Sequence, residues 1–253
     1  GKLSTLDTDQ LQEGARVSVG EKKNPTDFAL WKFSPADKQR DMEWDSPWGK
    51  GFPGWHTECV VMSNALLHAP FDIHTGGKDH LATHHPNEIA QFEALHSQPL
   101  ARYWLHSYFL TLKDEKMSKS AGTFVILPDL LEAGFSPLDF RFFCLQGHYR
   151  SDLSFSYPIL TQSARTLARL RAFLRRVHTQ TNRKNPDIMP QLKKLQKDFR
   201  NAVNHDLDTP QALAKIFDFI HDVNKRLDAG EDIPQRHIEK MFMRFDRVLG
   251  LHL

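Results

Sequence analysis

The chain has 253 residues, 40% of them hydrophobic, with 33 Lys and Arg against 31 Asp and Glu, which is enough apolar content for one large domain or two smaller ones. No stretch approaches the roughly 18 uninterrupted apolar residues of a membrane span, and the opening "GKLSTLDTDQ" has neither the basic start nor the apolar run of a secretory signal. Two cysteines, Cys59 and Cys144, exclude a disulfide framework, so a soluble chain in a reducing, cytoplasmic setting is expected.

Residues 1–50 are the least regular. "GARVSVG" and "FALWKF" read as strands of a small appended module, and "SPWGKGFPGW" as a turn-rich lead-in to a more regular core. Beyond it, short apolar runs such as "FDIH" and "SYFLTL" are bounded by polar or glycine-containing loops and predict buried parallel strands. The segment "NEIAQFEALHSQ" predicts a helix between them, and the alternation implies an α/β layer over residues 51–160. Cys144, within "RFFCLQ", is expected to be a small buried hydrophobe.

From residue 161 the period changes to that of a helix. In "TQSARTLARLRAFLRRVH", Leu167, Leu170, Leu174 and Val177 share one face while Arg165, Arg169 and Arg176 lie on another. The polar connection "TNRKNPDIMP" leads to a second helix with Leu192, Leu195, Phe199 and Val203. In "DTPQALAKIFDFIHDVNKRL", Thr209 is the expected N-cap and Pro210 the first helical residue, followed by a stripe of Leu213, Ile216, Phe217, Ile220, Val223 and Leu227. A fourth helix turns Ile238, Met241, Phe242, Phe245, Val248 and Leu249 inward and stops at Gly250. Four such helices predict a bundle over residues 161–253. This part carries 18 Lys and Arg against 11 Asp and Glu, whereas residues 1–160 carry 15 against 20. The split points to two domains, the second suited to a polyanion, although scattered arginines on a solvated helix face read the same way.

Four polar groups stand out in the α/β part. "GWHTEC" brings Trp55, His56 and Cys59 together after a Gly/Pro turn. "DIHTGGKDH" ends a predicted strand in His74, Gly76, Gly77 and Asp79, where glycines let backbone approach a ligand and open α/β sheets bind one; a plain tight turn looks the same. In "THHPNEIAQ", His84 and Glu88 are four apart at a helix start, which stacks them on one face. An imidazole and a carboxylate there, with a thiolate brought from elsewhere, suit Zn²⁺, but surface histidines give the same pattern and no fourth ligand is found. "EKMSKSAGT" holds Lys116, Ser118 and Lys119 in a loop that composition alone would call a solvated turn.

Taken together and in this order, "PGWHTEC", "FDIHTGGKDH", "HHPNEIAQFEA", "ARYWLHSYF", "EKMSKSAGT" and "HYRSDLSFS" resemble the cysteinyl-tRNA synthetases, a class I aminoacyl-tRNA synthetase family, from "GKLS" to "DLDTPQAL". The resemblance implies an α/β fold: the second half of a class I synthetase Rossmann-like catalytic domain followed by an α-helical bundle. It divides the chain into a connective insertion remnant and lead-in (1–50), the KMSKS-containing half of the catalytic domain (51–160), and a stem-contact or anticodon-side bundle (161–253). It implies ATP-dependent activation of L-cysteine and transfer to tRNA(Cys), with Mg²⁺ accompanying ATP. Lys119 would be the chief ATP contact, with Lys116 beside it, because mobile ammonium groups stabilise the charge on departing pyrophosphate. Gly76, Gly77, Asp79 and Ser118 would complete the ATP side, and Trp55 and His74 the amino acid pocket. Cys59, His84 and Glu88 match three of the family's four ligands to a zinc ion that takes the substrate thiolate and rejects a serine hydroxyl without editing.

Thr75, Lys78, His80, Pro86, Ala121 and Thr123 depart from the family pattern; proline is tolerable in a first helical turn, so His84 and Glu88 can still share a face. The half-sheet with the HIGH motif and the fourth zinc ligand is expected to lie outside these residues, making the chain inactive alone and a partner of that missing half. A cysteine ligase acting on an amino sugar, and a nonenzymatic RNA-binding or regulatory fragment, are the competing expectations.

Overall fold

The computed structural model describes residues 23–24, 26–112, 115–116, 125–181 and 188–253. The chain divides into two compact units, Gly1–Ser107 and Tyr108–Leu253. Among the described residues no helix is long and apolar enough to cross a membrane.

In the first unit, β1 (Trp31–Phe33) pairs antiparallel with β2 (Gly51–Pro53), Trp31 opposite Pro53. Only the last three residues of "FALWKF" are strand, and "GARVSVG" lies outside the described residues. Helix α1 (Trp55–Leu67) leads to β3 (Phe71–Gly77), a short 3₁₀ turn (Lys78–Leu81), α2 (His84–His96) and β4 (Ala101–Ser107). Strands β3 and β4 are parallel, with Phe71 opposite Ala101 and His74 opposite Trp104, so α2 is the crossover of a βαβ unit. The partner of "FDIH" is therefore "ARYWLHS". Val60, Phe71, Phe92, Leu100 and Ala101 form the small core beneath this unit.

In the second unit, β5 (Leu110–Leu112) lies between β6 (Glu115–Lys116), antiparallel to it, and β7 (Leu153–Phe155), parallel to it. Helices α3 (Leu127–Glu132) and α4 (Pro137–Leu145) help to cover it, with Leu130, Phe143, Phe155 and Leu160 as the core. Cys144 does not join that core: it is exposed, because its α4 neighbours Phe142 and Phe143 take the inward face.

The bundle consists of α5 (Tyr157–His178), α6 (Met189–Asn204), α7 (Thr209–Asp228) and α8 (Gln235–Leu249). Its core contains Leu167, Leu170, Val177, Leu192, Leu195, Phe199, Leu213, Ile216, Ile220, Val223, Ile238, Phe242, Phe245 and Leu249 as the periodicity predicts, with Leu174, Val203, Phe217 and Leu227 packed at its margin. Three details differ from the prediction. Helix α5 begins at Tyr157 because the Ser156 hydroxyl accepts from the Ile159 N–H and Pro158 suits a first turn. The cap of α7 is Asp208, whose carboxylate accepts from the Gln211 N–H at 3.0 Å, so Thr209 is already helical. Val248 is half exposed, since Phe245 and Leu249 on either side already fill the buried stripe. Gly250 does stop α8, with φ of 62° in the left-handed region that glycine adopts freely.

Candidate metal centre

The site is assembled within the first unit, from α1, β3, α2 and β4. Helix α1 starts directly after Gly54, where a Cβ would lie 1.9 Å from the Ala29 carbonyl oxygen. Only glycine permits that approach, and it sets the position at which Trp55, His56 and Cys59 enter the first turns. Helix α2 starts at His84 with Pro86 in its first turn, where a missing N–H is harmless. The four-residue spacing then brings His84 Nε2 to 2.6 Å from Glu88 Oε1.

His84, His85 and Glu88 are 3%, 1% and 0% exposed, unusual for polar side chains in the first turns of a helix. One ligand atom from each of Cys59, His84 and Glu88 lies within 4.8 Å of the others, and the same holds for His74, His85 and Glu88. Glu88 belongs to both groups, but its two oxygens differ. Oε2 accepts a hydrogen bond from His74 Nε2 at 2.5 Å. Oε1 has no hydrogen-bond partner at nitrogen or oxygen, although His84 Nε2 lies 2.6 Å away and the Cys59 thiol interacts with the same carboxylate.

Further imidazoles surround these groups. His84 Nδ1 is 2.7 Å from His56 Nδ1, and the Asn87 side-chain amide meets His56 Nε2 at 3.2 Å. His85 Nδ1 is 2.7 Å from His106 Nε2. Trp55, itself 56% exposed, has its ring centre 4.2 Å from that of His84. Gly76 leaves room for this packing: a Cβ there would sit 2.6 Å from His85 Cε1 and 2.7 Å from His80 Nδ1.

Burial sets the protonation of the cluster. It lowers the His84 pKa to about 4 and that of His85 to about 3, and it also depresses His56 and His106. These imidazoles are therefore neutral near pH 7, and a neutral imidazole offers the lone pair that a metal needs. Burial, reinforced by Glu88, raises Cys59 to about 11, so its thiol must release a proton to become a ligand. Sulfur, nitrogen and oxygen donors of this kind fit Zn²⁺, and a buried carboxylate oxygen without a hydrogen bond is a costly arrangement that a cation would relieve.

Of the residues singled out in the sequence, Cys59, His84, Glu88, His74 and Trp55 come together here. Gly77 precedes the 3₁₀ turn, and Asp79 lies within it, exposed. Lys116 is opposite Thr111 in β6, within the second unit. Ser118 and Lys119 lie outside the described residues. Sequence patterns do not mark His80, His85, His106 and Trp104 as members of the cluster, nor His56 as a neighbour of His84. One signal is present in β4: Trp104 and His106 are two apart and so share a face, opposite His74 and Gly76 of β3.

Two family descriptions match this chain: "tRNA synthetases class I (C) catalytic domain" over residues 1–165, and "DALR domain" over residues 198–253. It is 47% identical over 254 residues to a protein of Burkholderia lata named cysteine–tRNA ligase 1, covering 100% of this chain and 50% of the relative. It is 39% identical over 268 residues to the cysteine–tRNA ligase of Chlamydia trachomatis serovar D, covering 99% and 56%. The chain thus spans about half the length of the curated relatives it matches. Among solved structures it is similar to that of the Agrobacterium radiobacter K84 agnB2 LeuRS–tRNA–LeuAMS ternary complex, with a TM-score of 0.57 and 16% identity over 79% of this chain and 30% of that one, a likeness of fold.

Proposed function

This chain belongs to the class I tRNA synthetases of the cysteine type, and from that membership we propose that it is the KMSKS-bearing half of a cysteine–tRNA ligase, with the cysteine-selecting pocket in its first unit. The reaction would join the carboxylate of L-cysteine to the α-phosphorus of ATP with loss of pyrophosphate, and then pass the cysteinyl group to the 3′ end of tRNA(Cys). The observation that carries this reading is the convergence of Cys59, His84 and Glu88, with Glu88 Oε1 buried and lacking a hydrogen bond.

A zinc ion held by those residues would supply a soft acceptor that favours a thiolate over a hydroxyl. The protein's own groups do the rest. Neutral His84 presents a lone pair, Glu88 supplies an anionic oxygen, and Trp55 offers a partly exposed indole as a wall for a small amino acid. Lys116 and Lys119 of the KMSKS segment would engage the phosphates as charge accumulates on the leaving group, while Gly76, Gly77, Asp79 and Ser118 bound the nucleotide and Mg²⁺ accompanies it. The bundle, with its excess of Lys and Arg, would meet the phosphates of the tRNA. The names of the relatives favour tRNA over an amino sugar as the acceptor.

The test is elemental analysis of the purified chain, followed by cysteine-dependent pyrophosphate exchange with and without the complementary half of a relative that carries the HIGH motif. Near-stoichiometric zinc, and exchange only when the halves are combined, are expected. Absence of zinc from both samples would remove the thiol-selective pocket, and exchange by these 253 residues alone would overturn the reading as a half-enzyme.

A further inference from the structure

The corner between α6 and α7 adopts a backbone that its residues do not favour. Asp206 and Leu207 are consecutive left-handed residues, with φ of 52° and 57°, and neither is glycine. A β-carbon makes that conformation costly, more so for leucine than for aspartate, and Leu207 is half exposed, so burial of its side chain does not offset the strain. The backbone is closed by the Leu207 N–H on the Val203 carbonyl and the Asp208 N–H on the Ala202 carbonyl, both at 3.1 Å. A further hold comes from a distant part of the chain. The Tyr149 hydroxyl donates to Asp206 Oδ1 at 2.6 Å and Arg150 Nη1 donates to Oδ2 at 2.8 Å, so neighbouring residues of one loop take the two oxygens of one carboxylate.

That loop joins α4 to β7 and is stitched to the start of β5. The Tyr149 carbonyl accepts from the Tyr108 N–H at 2.7 Å, and Asp152 Oδ1 accepts from the Phe109 N–H at 2.9 Å. Strand β5 in turn pairs with β6, which places Thr111 opposite Lys116. We propose that Tyr149 and Arg150 are positioning residues: by gripping Asp206 they fix the α6–α7 corner of the bundle to the sheet that carries Lys116, so that a tRNA held by the bundle keeps one orientation relative to that sheet while the cysteinyl group is transferred. This rests on the reading of the chain as the KMSKS-bearing half of a cysteine–tRNA ligase and deepens it at the transfer step.

Stability alone does not account for the contact. Arg150 and Asp206 are both exposed, and an exposed ion pair contributes little to folding. The bundle is anchored to α4 by other means: Phe142 is buried in its core, and the Arg141 guanidinium donates to the Leu249 carbonyl at 2.6 Å. What the grip supplies is geometry, because donors on both oxygens fix the plane of the carboxylate as a single bond would not. His148 stacks against Tyr149 with ring centres 5.0 Å apart, and its Nδ1 accepts from the Arg150 N–H at 3.2 Å, which holds the two donors in place. The Tyr149 hydroxyl and Arg150 lower the Asp206 pKa, while burial and the adjacent carboxylate raise that of Tyr149. Near pH 7 the acceptor therefore stays ionised and the donor keeps its proton.

The experiment measures two steps on the full chain combined with the complementary half. Cysteine-dependent pyrophosphate exchange reports adenylate formation, and single-turnover transfer to saturating tRNA(Cys) reports the step assigned to the grip. The variants are Tyr149→Phe, Arg150→Gln, the two together, and Asp206→Ala. Asp206→Ala is expected to slow transfer about 10- to 100-fold, the scale set by misplacing reacting groups by about an ångström, while pyrophosphate exchange stays within a few-fold of the parent. The double variant should match Asp206→Ala, since both remove the same two bonds. Urea denaturation identifies any variant that has lost its fold, and Tyr149→Phe, which keeps the ring against His148, serves if Asp206→Ala is one of them. Equal losses in both steps, or unchanged transfer in folded variants, would overturn the positioning role. Amide hydrogen exchange on the 253-residue chain alone gives a readout independent of activity. The Tyr108 and Phe109 N–H groups should exchange faster in Asp206→Ala than in the parent, and equal rates would overturn the link between corner and sheet. If the combined parent halves form no adenylate, the half-enzyme reading fails, and these amide rates still decide the link.

Discussion

Buried histidines contribute to how this chain responds to acid. Burial holds His84 and His85 at pKa values of about 4 and about 3, below the value of about 6.5 that an exposed imidazole has in an unfolded chain. Between those limits the unfolded state binds more protons than the folded one, so stability rises with pH in that window. Their contribution is fully present above about pH 6.5 and is lost as the pH falls through the folded values. The metal-free chain, kept in a chelator, is therefore expected to unfold at lower urea concentration at pH 5 than at pH 7.5. His85→Gln, which cannot take up a proton, should flatten part of that slope. A midpoint unchanged between the two pH values, in parent and variant alike, would show that these imidazoles are not held neutral by burial.

At the scale of elements, the helices are legible in the sequence because their signals are redundant, and the short strands are not because theirs are weak. Helix α7 has six apolar residues at helical spacing, so one misassigned cap moves its start by a single residue and nothing else. The strand "ARYWLHS" has no such redundancy: it mixes charged, aromatic and apolar side chains, and only the parallel pairing with β3 makes it a strand. The same contrast holds for the site. His84 and Glu88 share a helix, so spacing brings them together, whereas His74, His85 and His106 meet only through the β3–β4 register and the placement of α2. The corrected cap is itself testable. Asp208 accepts from the Gln211 N–H at 3.0 Å, so Asp208→Ala leaves a first-turn donor unpaired and should cost about 0.5–2 kcal/mol, while Asp208→Asn should cost much less. Urea denaturation followed by helical circular dichroism checks this, and an equal loss in Thr209→Ala with none in Asp208→Ala would return the cap to Thr209.

Across the whole molecule, charge is unevenly distributed. Residues 161–253 hold the excess of Lys and Arg, and α8 displays part of it on the face opposite Ile238, Phe242, Phe245 and Leu249, where Lys240, Arg244 and Arg247 are all exposed. Their spacing of four and three residues lines them along one side of the helix, a geometry that follows a phosphate backbone better than it follows a base edge. If this face meets the tRNA, binding of tRNA(Cys) to the chain should weaken steeply with salt, because each phosphate contact releases condensed counterions. Replacing Lys240, Arg244 and Arg247 with Gln should lower affinity and reduce the slope of log K against log salt by about 0.7–0.9 for each phosphate no longer neutralised, while weakening other tRNAs to a similar degree. The replaced side chains point away from the core, so thermal stability should be almost unchanged, and that separates a weakened RNA interface from a disrupted fold. Fluorescence anisotropy with labelled tRNA at several salt concentrations measures both affinity and slope. An unaltered slope in the triple variant would move the RNA interface off α8, and a loss confined to tRNA(Cys) would mean that this face reads identity rather than charge.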